Sequence, residues 1–465
     1  MQQISTDSIM NEFAHAQLGD QRLTKRLCRV AEDFADQPDV SIPKASGDWG
    51  QTCAAYRLLD NDQVKPADIL AAHQIRTLER AATVPLLLAV SDTTSLNYSQ
   101  HAATAGLGPI RTRRDKTLGL WLHSLVAFTP QGVSLGVLDA QCWARDPAAF
   151  GSRHQRKSKP IEAKESYKWV HSLQTLQRAA AQTPHTRWVM IADREADVYE
   201  LFQRAQQQPQ GPALLVRANH DRNLIDRERS LFAHLARAAV AGTVQVQVPR
   251  RPGQAVRTAT LTVRFSAVRL QEPGGKGQCP TLTLWAVEAR ELHSPKGIRP
   301  IHWRLLTTLP VGTLAEAVEK LQWYCVRWSI EVFHKVLKSV CRVEAVQLQQ
   351  AARLQRYVAI KLVVAWRVLA LVKLGREQPD RALSEILEEE EWRALQAVEY
   401  ARKQSRGQKR LRRRPTLGEG IRWLARLGGH LGRKGDGAPG PLSVARGLER
   451  LHDITVGWKL ARAAK

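Results

Sequence analysis

The chain has 465 residues, 43% of them hydrophobic and 24% charged, enough apolar material for two or three ordinary globular domains. Its 69 Lys and Arg outnumber its 44 Asp and Glu, for a net charge of +25. A surplus of that size points to a polyanionic partner, because each cation near a phosphate releases condensed counterions; nucleic acid fits best, with an anionic membrane surface or a ribosomal role left open.

Six cysteines (Cys28, Cys53, Cys142, Cys279, Cys325, Cys341) are scattered without a C-x-x-C pair. That argues against zinc and against a disulfide framework, and it predicts reduced, mostly buried thiols. No apolar run approaches a membrane span. The polar start, with Asp7 and Glu12, shows no secretory signal, so an intracellular protein is expected.

Leu23, Leu27, Val30, Ala31 and Phe34 recur at helical spacing, with Arg22, Lys25, Arg26 and Arg29 along the same stretch, so residues 1–75 read as a small basic helical domain. A solvated helix face explains the same charges equally well. From 84 the pattern changes. Val84-Pro-Leu-Leu-Leu-Ala-Val90 is a short apolar run suited to a buried strand, and it ends in Ser91-Asp92-Thr93-Thr94. Two strand-like runs follow, Leu118 to Phe128 and Val133 to Trp143, joined by the turn Thr129-Pro130-Gln131-Gly132 into a predicted antiparallel hairpin. A helix over 161–181 comes next, then a second buried strand, Arg187 to Ala192, again followed by an acid, Asp193. A helix around Ala196 to Gln206 leads to a further strand, Ala213 to Arg217. This order matches a ribonuclease-H-like α/β fold with a mixed sheet.

Between 240 and 310 alternation takes over (Val244, Val246, Val248; Leu261, Val263, Phe265; Leu282, Leu284, Ala286), punctuated at Pro249, Pro252-Gly253 and Pro273-Gly274-Gly275, so a β-rich insertion is expected there. Thr313 and Glu316 have capping-box spacing at the head of a long helix running to about Val340. From 350 the chain reads as helical, with an acidic block at Glu388 to Glu391, a basic one at Arg402 to Arg414, and a Gly-rich loop through Gly428-Gly429, Gly432 and 435–441.

Asp92 and Asp193 each follow a predicted buried strand, where a rigid element presents a carboxylate at the rim of the sheet. Two such groups can share a hard divalent cation, although an Asp just after a strand is also a common turn residue. On the long helix Tyr324, Arg327, Glu331 and Lys338 fall within roughly 60° of one another, given about 100° per residue. A carboxylate there can complete a metal site while Arg and Lys hold phosphate oxygens; the bland alternative is a salt-bridged helix face, since Arg327 and Glu331 are an i,i+4 pair.

The spacing Tyr324-x-x-Arg327-x-x-x-Glu331-x-x-x-x-x-x-Lys338 resembles the Y-R-E-K signature of the IS-four family of bacterial DDE transposases. Ser91-Asp92-Thr93-Thr94, Ala192-Asp193-Arg194-Glu195-Ala196-Asp197 and Leu18-Gly-Asp-Gln-Arg22 are similar to further blocks of that family. The resemblance covers essentially the whole chain and is loosest at the C-terminus. It implies cut-and-paste transposition by a synaptic homodimer on double-stranded DNA: nicking at the inverted-repeat ends, hairpin formation and opening, and strand transfer into target DNA. It implies that Asp92, Asp193 and Glu331 bind two Mg²⁺ ions, with Mn²⁺ as a substitute. Tyr324, Arg327 and Lys338 would grip phosphate beside a flipped base. Trp303 would stack on that base, and Arg217 would contact DNA. Trp303 as a core aromatic is the alternative, and Trp328 is ambiguous in the same way.

The expected organisation is an end-binding helical domain at 1–75, a ribonuclease-H-like catalytic domain at 76–350 with the β-rich insertion at 240–310, and a helical dimerisation domain at 351–465, in a cytoplasmic, nucleoid-associated bacterial protein. Glu195 and Asp197 read as the acidic first turn of a helix, and His123 and His334 as packing or DNA contacts. Another ribonuclease-H-like nuclease or resolvase, or a non-catalytic end-binding inhibitor, remains as an alternative reading.

Overall fold

The computed structural model describes residues 9–111, 117–147, 159–225, 230–248, 256–272, 281–404, 414–433 and 435–463. Asp7, Cys279, the Pro/Gly punctuation at 249, 252–253 and 273–275, and most of the basic block after Arg402 lie outside these residues.

In chain order come the helices α1 (Ile9–Phe13), α2 (Gln21–Asp36), α3 (Ile42–Ser46), α4 (Trp49–Asp60) and α5 (Pro66–Ala81). The strands β1 (Leu86–Asn97), β2 (Gly108–Pro109), β3 (Leu118–Phe128) and β4 (Ser134–Trp143) follow. Next are α6 (Tyr167–Gln182), β5 (Arg187–Ala192), α7 (Tyr199–Gln206), β6 (Ala213–Arg217) and α8 (Leu231–Arg237). The β-rich segment holds β7 (Gly242–Val248), β8 (Arg257–Leu270), β9 (Leu282–Glu291) and β10 (His302–Thr307). After it come α9 (Leu314–Val326), α10 (Trp328–Lys335), α11 (Ala351–Glu377), α12 (Glu389–Gln404), α13 (Leu417–Leu427) and α14 (Pro441–Ala463). Two compact units result: one of Met1–Val84, Thr93–Ser152 and Ser329–Lys465, the other of Pro85–Asp92 and Arg153–Trp328. Helix α5 runs across residue 75.

In the second unit the sheet order is β1-β5-β6-β10-β9-β8-β7. β1, β5 and β6 are parallel, and β10 joins β6 antiparallel. Leu87 to Val90 and Trp188 to Ala192 are buried throughout, as expected of central strands covered on both faces. β7 alternates between exposed and half-buried positions, the pattern of a strand with one solvated face. β10 returns the chain from the antiparallel β7–β9 ladder to the central strands, pairing Leu305 with Arg217 on one side and with Val287 on the other.

In the first unit β3 and β4 form the predicted hairpin, and Gly132 takes the left-handed conformation (φ +81°) that its turn requires. α5 packs on β4 so closely that a Cβ at Gly136 would meet the Thr77 hydroxyl oxygen at 1.9 Å; only glycine fits there. α11 is apolar nearly all round and lies buried along most of its length. Its two buried cations are both partnered: Arg356 donates to the carbonyls of Val64 and Leu59 and to the Asp62 carboxylate, and Lys361 to the carbonyl of Pro38. Glu12 of α1, His73 and Arg80 of α5 form a buried network, with the Val137 amide donating to His73 Nε2 at 2.9 Å.

Three local expectations change. β1 does not end at Asp92 but continues to Asn97, because the β-branched Thr93 and Thr94 and the buried Leu96 extend the strand. The helix expected to run from Thr313 to Val340 is segmented. Its capping box is present, but at Arg327 the ladder tightens, with the Arg327 amide donating to the Tyr324 carbonyl at 3.1 Å. Across Val336–Val340 it widens into a π-helical turn. Tyr324, Arg327, Glu331 and Lys338 are therefore not carried on one unbroken α-helix, as the single shared face required. Finally, the cysteines are less buried than expected: Cys28 and Cys341 are buried, Cys53 and Cys142 half-buried, Cys325 exposed, and all five are free.

Candidate active site

The site begins with sheet register. Val90 of β1 pairs with Ile191 of β5, and Ala192 of β5 pairs with Val216 of β6. Those pairings end there, and Asp92 and Asp193 lie just past them, where the same offsets would align Asp92 with Asp193 and Asp193 with Arg217. In-register side chains of adjacent strands lie on one face, with strands about 4.8 Å apart. Carboxylates brought near one another repel and favour a shared cation.

Asp193 keeps an extended backbone (φ −83°, ψ −166°) and caps the turn at Arg194–Ala196 by accepting from the Glu195 amide at 2.9 Å. Asp92 is half-buried, with its Oδ2 3.3 Å from Nη1 of Arg327. Arg327 also lies toward the Tyr324 ring, 5.9 Å from its centroid. Tyr324 is 5% exposed; burial pushes its hydroxyl pKa up, the charge of Asp193 adds to that, and Arg327 and Arg217 oppose it. Tyr324 meets Trp303 edge-on at 5.7 Å between centroids. Arg217 donates to the His302 carbonyl at 2.9 Å, and burial, with Arg194 and Arg327 nearby, lowers its pKa. Asp92, Asp193, Arg217, Trp303, Tyr324 and Arg327 thus belong to one unit, with two guanidiniums and two carboxylates among them. Guanidiniums suit an anionic ligand such as a phosphodiester.

Glu331 and Lys338 belong to the other unit, Glu331 half-buried on α10 and Lys338 in the π-helical turn. Burial lowers the Lys338 pKa, and Glu344 opposes the shift. Among the described residues no three His, Cys, Asp or Glu side chains are grouped as a metal-holding cluster. The structure therefore places the two acids just past the paired stretches of β1 and β5, Asp92 towards Arg327 and Asp193 towards the Glu195 amide. The donor chemistry still fits a hard divalent ion: two carboxylates at one rim, one of them already facing a cation.

His123 and His334 are packing residues. His123 pairs with the Thr93 hydroxyl at 2.8 Å and His334 with that of Ser124 at 3.3 Å; burial drives the His334 pKa down to about 3. Trp328 is 45% exposed, so it is not a core aromatic. Asp197 is not in a helical first turn as expected. It is buried and accepts from the amides of Asn219 and His220 and from Arg222, clamping the loop after Arg217. Sequence reading missed that clamp, as well as the carboxylate of Glu288 in β9; the signal available for Glu288 was a charged residue inside an apolar strand.

Three family models match the chain: transposase DNA-binding over residues 5–64, a transposase DDE domain over 138–367, and a transposase Tn5 dimerisation domain over 363–465. The chain belongs to the Tn5-like IS4 family of DDE transposases. It is a cut-and-paste enzyme that depends on a divalent metal and works on DNA as a homodimer. The mixed sheet with helical regions before and after it is the transposase's ribonuclease-H-like core. The DDE match takes in Asp193 and Glu331 and begins after Asp92. A solved piggyBac transposase synaptic complex with hairpin DNA is similar at 10% identity and a TM-score of 0.38, over 80% of this chain and 74% of that one. Among the described residues no helix of the transposase is long and apolar enough to cross a membrane.

Proposed function

We propose that Asp92, Asp193 and Glu331 are the acids of the DDE site and that they hold two Mg²⁺ ions, with Mn²⁺ able to substitute. When bound, such ions stabilise the charge on the entering and leaving oxygens of an in-line phosphoryl transfer. The residues' own work is positional. Asp92 and Asp193 fix the donors on adjacent strands, and Glu331, one turn beyond Arg327 along the chain, completes the set. Arg327 and Lys338 take non-bridging phosphate oxygens, and Tyr324 donates its hydroxyl beside them. Trp303 offers a flat apolar face to an unstacked base, and Arg217 contacts the DNA backbone. The reaction is strand nicking at a transposon end, hairpin formation and opening, then strand transfer into target DNA.

In the same reading, residues 1–75 bind the inverted-repeat end, 76–350 are catalytic with the 240–310 insertion, and 351–465 dimerise, in a cytoplasmic, nucleoid-associated bacterial protein. What supports the proposal is the register of β1, β5 and β6, whose offsets, continued just past the paired residues, would align Asp92 with Asp193 and Asp193 with Arg217. The test is incubation of the transposase with Mg²⁺ and the inverted-repeat ends of its own element. A nicked strand followed by a hairpin product is expected, with D193A retaining end binding and losing both products. Cleavage by D193A removes Asp193 from the site.

A further inference from the structure

Glu288 lies mid-strand in β9 and is 2% exposed. A carboxylate taken out of water is costly unless charged donors surround it. Here His302 Nε2 lies at 2.8 Å, Arg304 donates at 3.0 Å and Arg264 at 3.3 Å. Burial alone would raise the Glu288 pKa; the bonds and charges of His302 and Arg304 reverse that and hold it below the usual carboxylate range.

The register explains what these partners do. Arg304 of β10 faces Glu288, while Trp303 faces Ala289 and His302 faces Arg290. Alternation along β10 puts His302 and Arg304 on one side of the sheet and Trp303 on the other. Glu288 therefore grips both chain neighbours of Trp303 from the opposite side. The same two neighbours hold the end of β6: the His302 carbonyl accepts from Arg217 and the Arg304 carbonyl from the Ala218 amide at 2.8 Å.

We propose that Glu288 is a positioning residue, which by fixing β10 on both sides of Trp303 sets how Trp303 meets an unstacked base and where Arg217 meets phosphate. This rests on the reading of Trp303 as the base-stacking residue. The side chain of Glu288 itself touches no DNA.

The experiment uses the full-length transposase, Mg²⁺ and its element's end DNA with 2-aminopurine at the bases flanking the cleavage point, in wild type, E288Q, E288D and W303A. Wild type should brighten as the base leaves the stack. E288Q should lose most of that rise and about tenfold in hairpin formation, the scale of one charged hydrogen-bond set, with end binding and first-strand nicking unchanged. E288D should recover part of the signal, and W303A should lose it. Wild-type brightening in E288Q with loss in W303A overturns the role of Glu288 and leaves that of Trp303 standing. Brightening retained by W303A overturns the stacking assignment instead. Equal loss of nicking and hairpin formation in E288Q marks a general folding role and also overturns the proposal. If E288Q does not fold, H302Q and R304K each remove one contact and must show the same selective loss; a wild-type signal in both is a refutation.

Discussion

Arg327 holds its guanidinium 3.3 Å from the carboxylate of Asp92, so that acid already faces a cation supplied by the chain. Both side chains are partly exposed, which limits the pair to about 1 kcal/mol. On the proposed reading, a divalent ion at Asp92 would compete with that guanidinium. R327A is therefore expected to bind Mn²⁺ about fivefold more tightly in the absence of DNA, as 1 kcal/mol implies, while losing hairpin formation. A titration of the free protein followed by electron paramagnetic resonance measures it, and unchanged or weaker binding contradicts competition at Asp92.

Trp303 presents its ring next to Tyr324 rather than in a sealed core. Stacking on a base is worth about 1–3 kcal/mol, so W303A should slow hairpin formation by roughly tenfold or more, with W303F retaining part of the rate. Single-turnover assays on pre-nicked ends isolate that step. Equal rates for W303A and wild type would return Trp303 to a packing role.

The apolar runs before Asp92 and Asp193 were legible in the sequence because strands buried on both faces carry no alternation to confuse them. The hairpin was legible from its turn, and the capping box from Thr313 and Glu316. The register of β1, β5 and β6 was not, since register depends on which strands pair, and a one-residue slip would reverse every side chain. The segmentation at Arg327 also left no mark, as no Gly or Pro stands between Leu314 and Cys341. Asp197 was misread because an acid after Asp193 suits a helix start as readily as a clamp on the Asn219 and His220 amides.

Burial keeps His334 neutral in the folded chain, with a pKa of about 3 against 6.5 when exposed. The folded value is depressed, so an unfolded chain takes up a proton below pH 6.5 that the native one refuses. Stability from this residue is complete above pH 6.5 and falls by about 1.4 kcal/mol per pH unit between 6.5 and 3. Burial lowers the His73 pKa too, with the same sign. Urea unfolding at pH 7 and pH 5 should show the loss, and H334N should show a smaller difference between the two. An equal difference in wild type and variant would mean that His334 does not carry it.

Glu12 is the carboxylate of its own buried network. Burial raises its pKa, but His73 and Arg80 outweigh that and bring it down to about 2. Its contribution is present above pH 4.5 and lost as pH falls towards 2. E12A leaves Arg80 buried without its carboxylate, for an expected loss of about 3–5 kcal/mol by chemical denaturation at pH 7. A loss under 1 kcal/mol would show that the Leu135 carbonyl, which also accepts from Arg80, is partner enough.

On the proposed reading Asp92 and Asp193 ligate the same catalytic metal site. Replacing each in turn with Cys exchanges a hard oxygen donor for a sulfur donor that Mg²⁺ accepts poorly and softer ions accept well. End cleavage by D92C and by D193C, measured in Mg²⁺ and in Mn²⁺ supplemented with Cd²⁺, should be absent in the first condition and restored in the second. Full cleavage in Mg²⁺ by either variant would contradict the account.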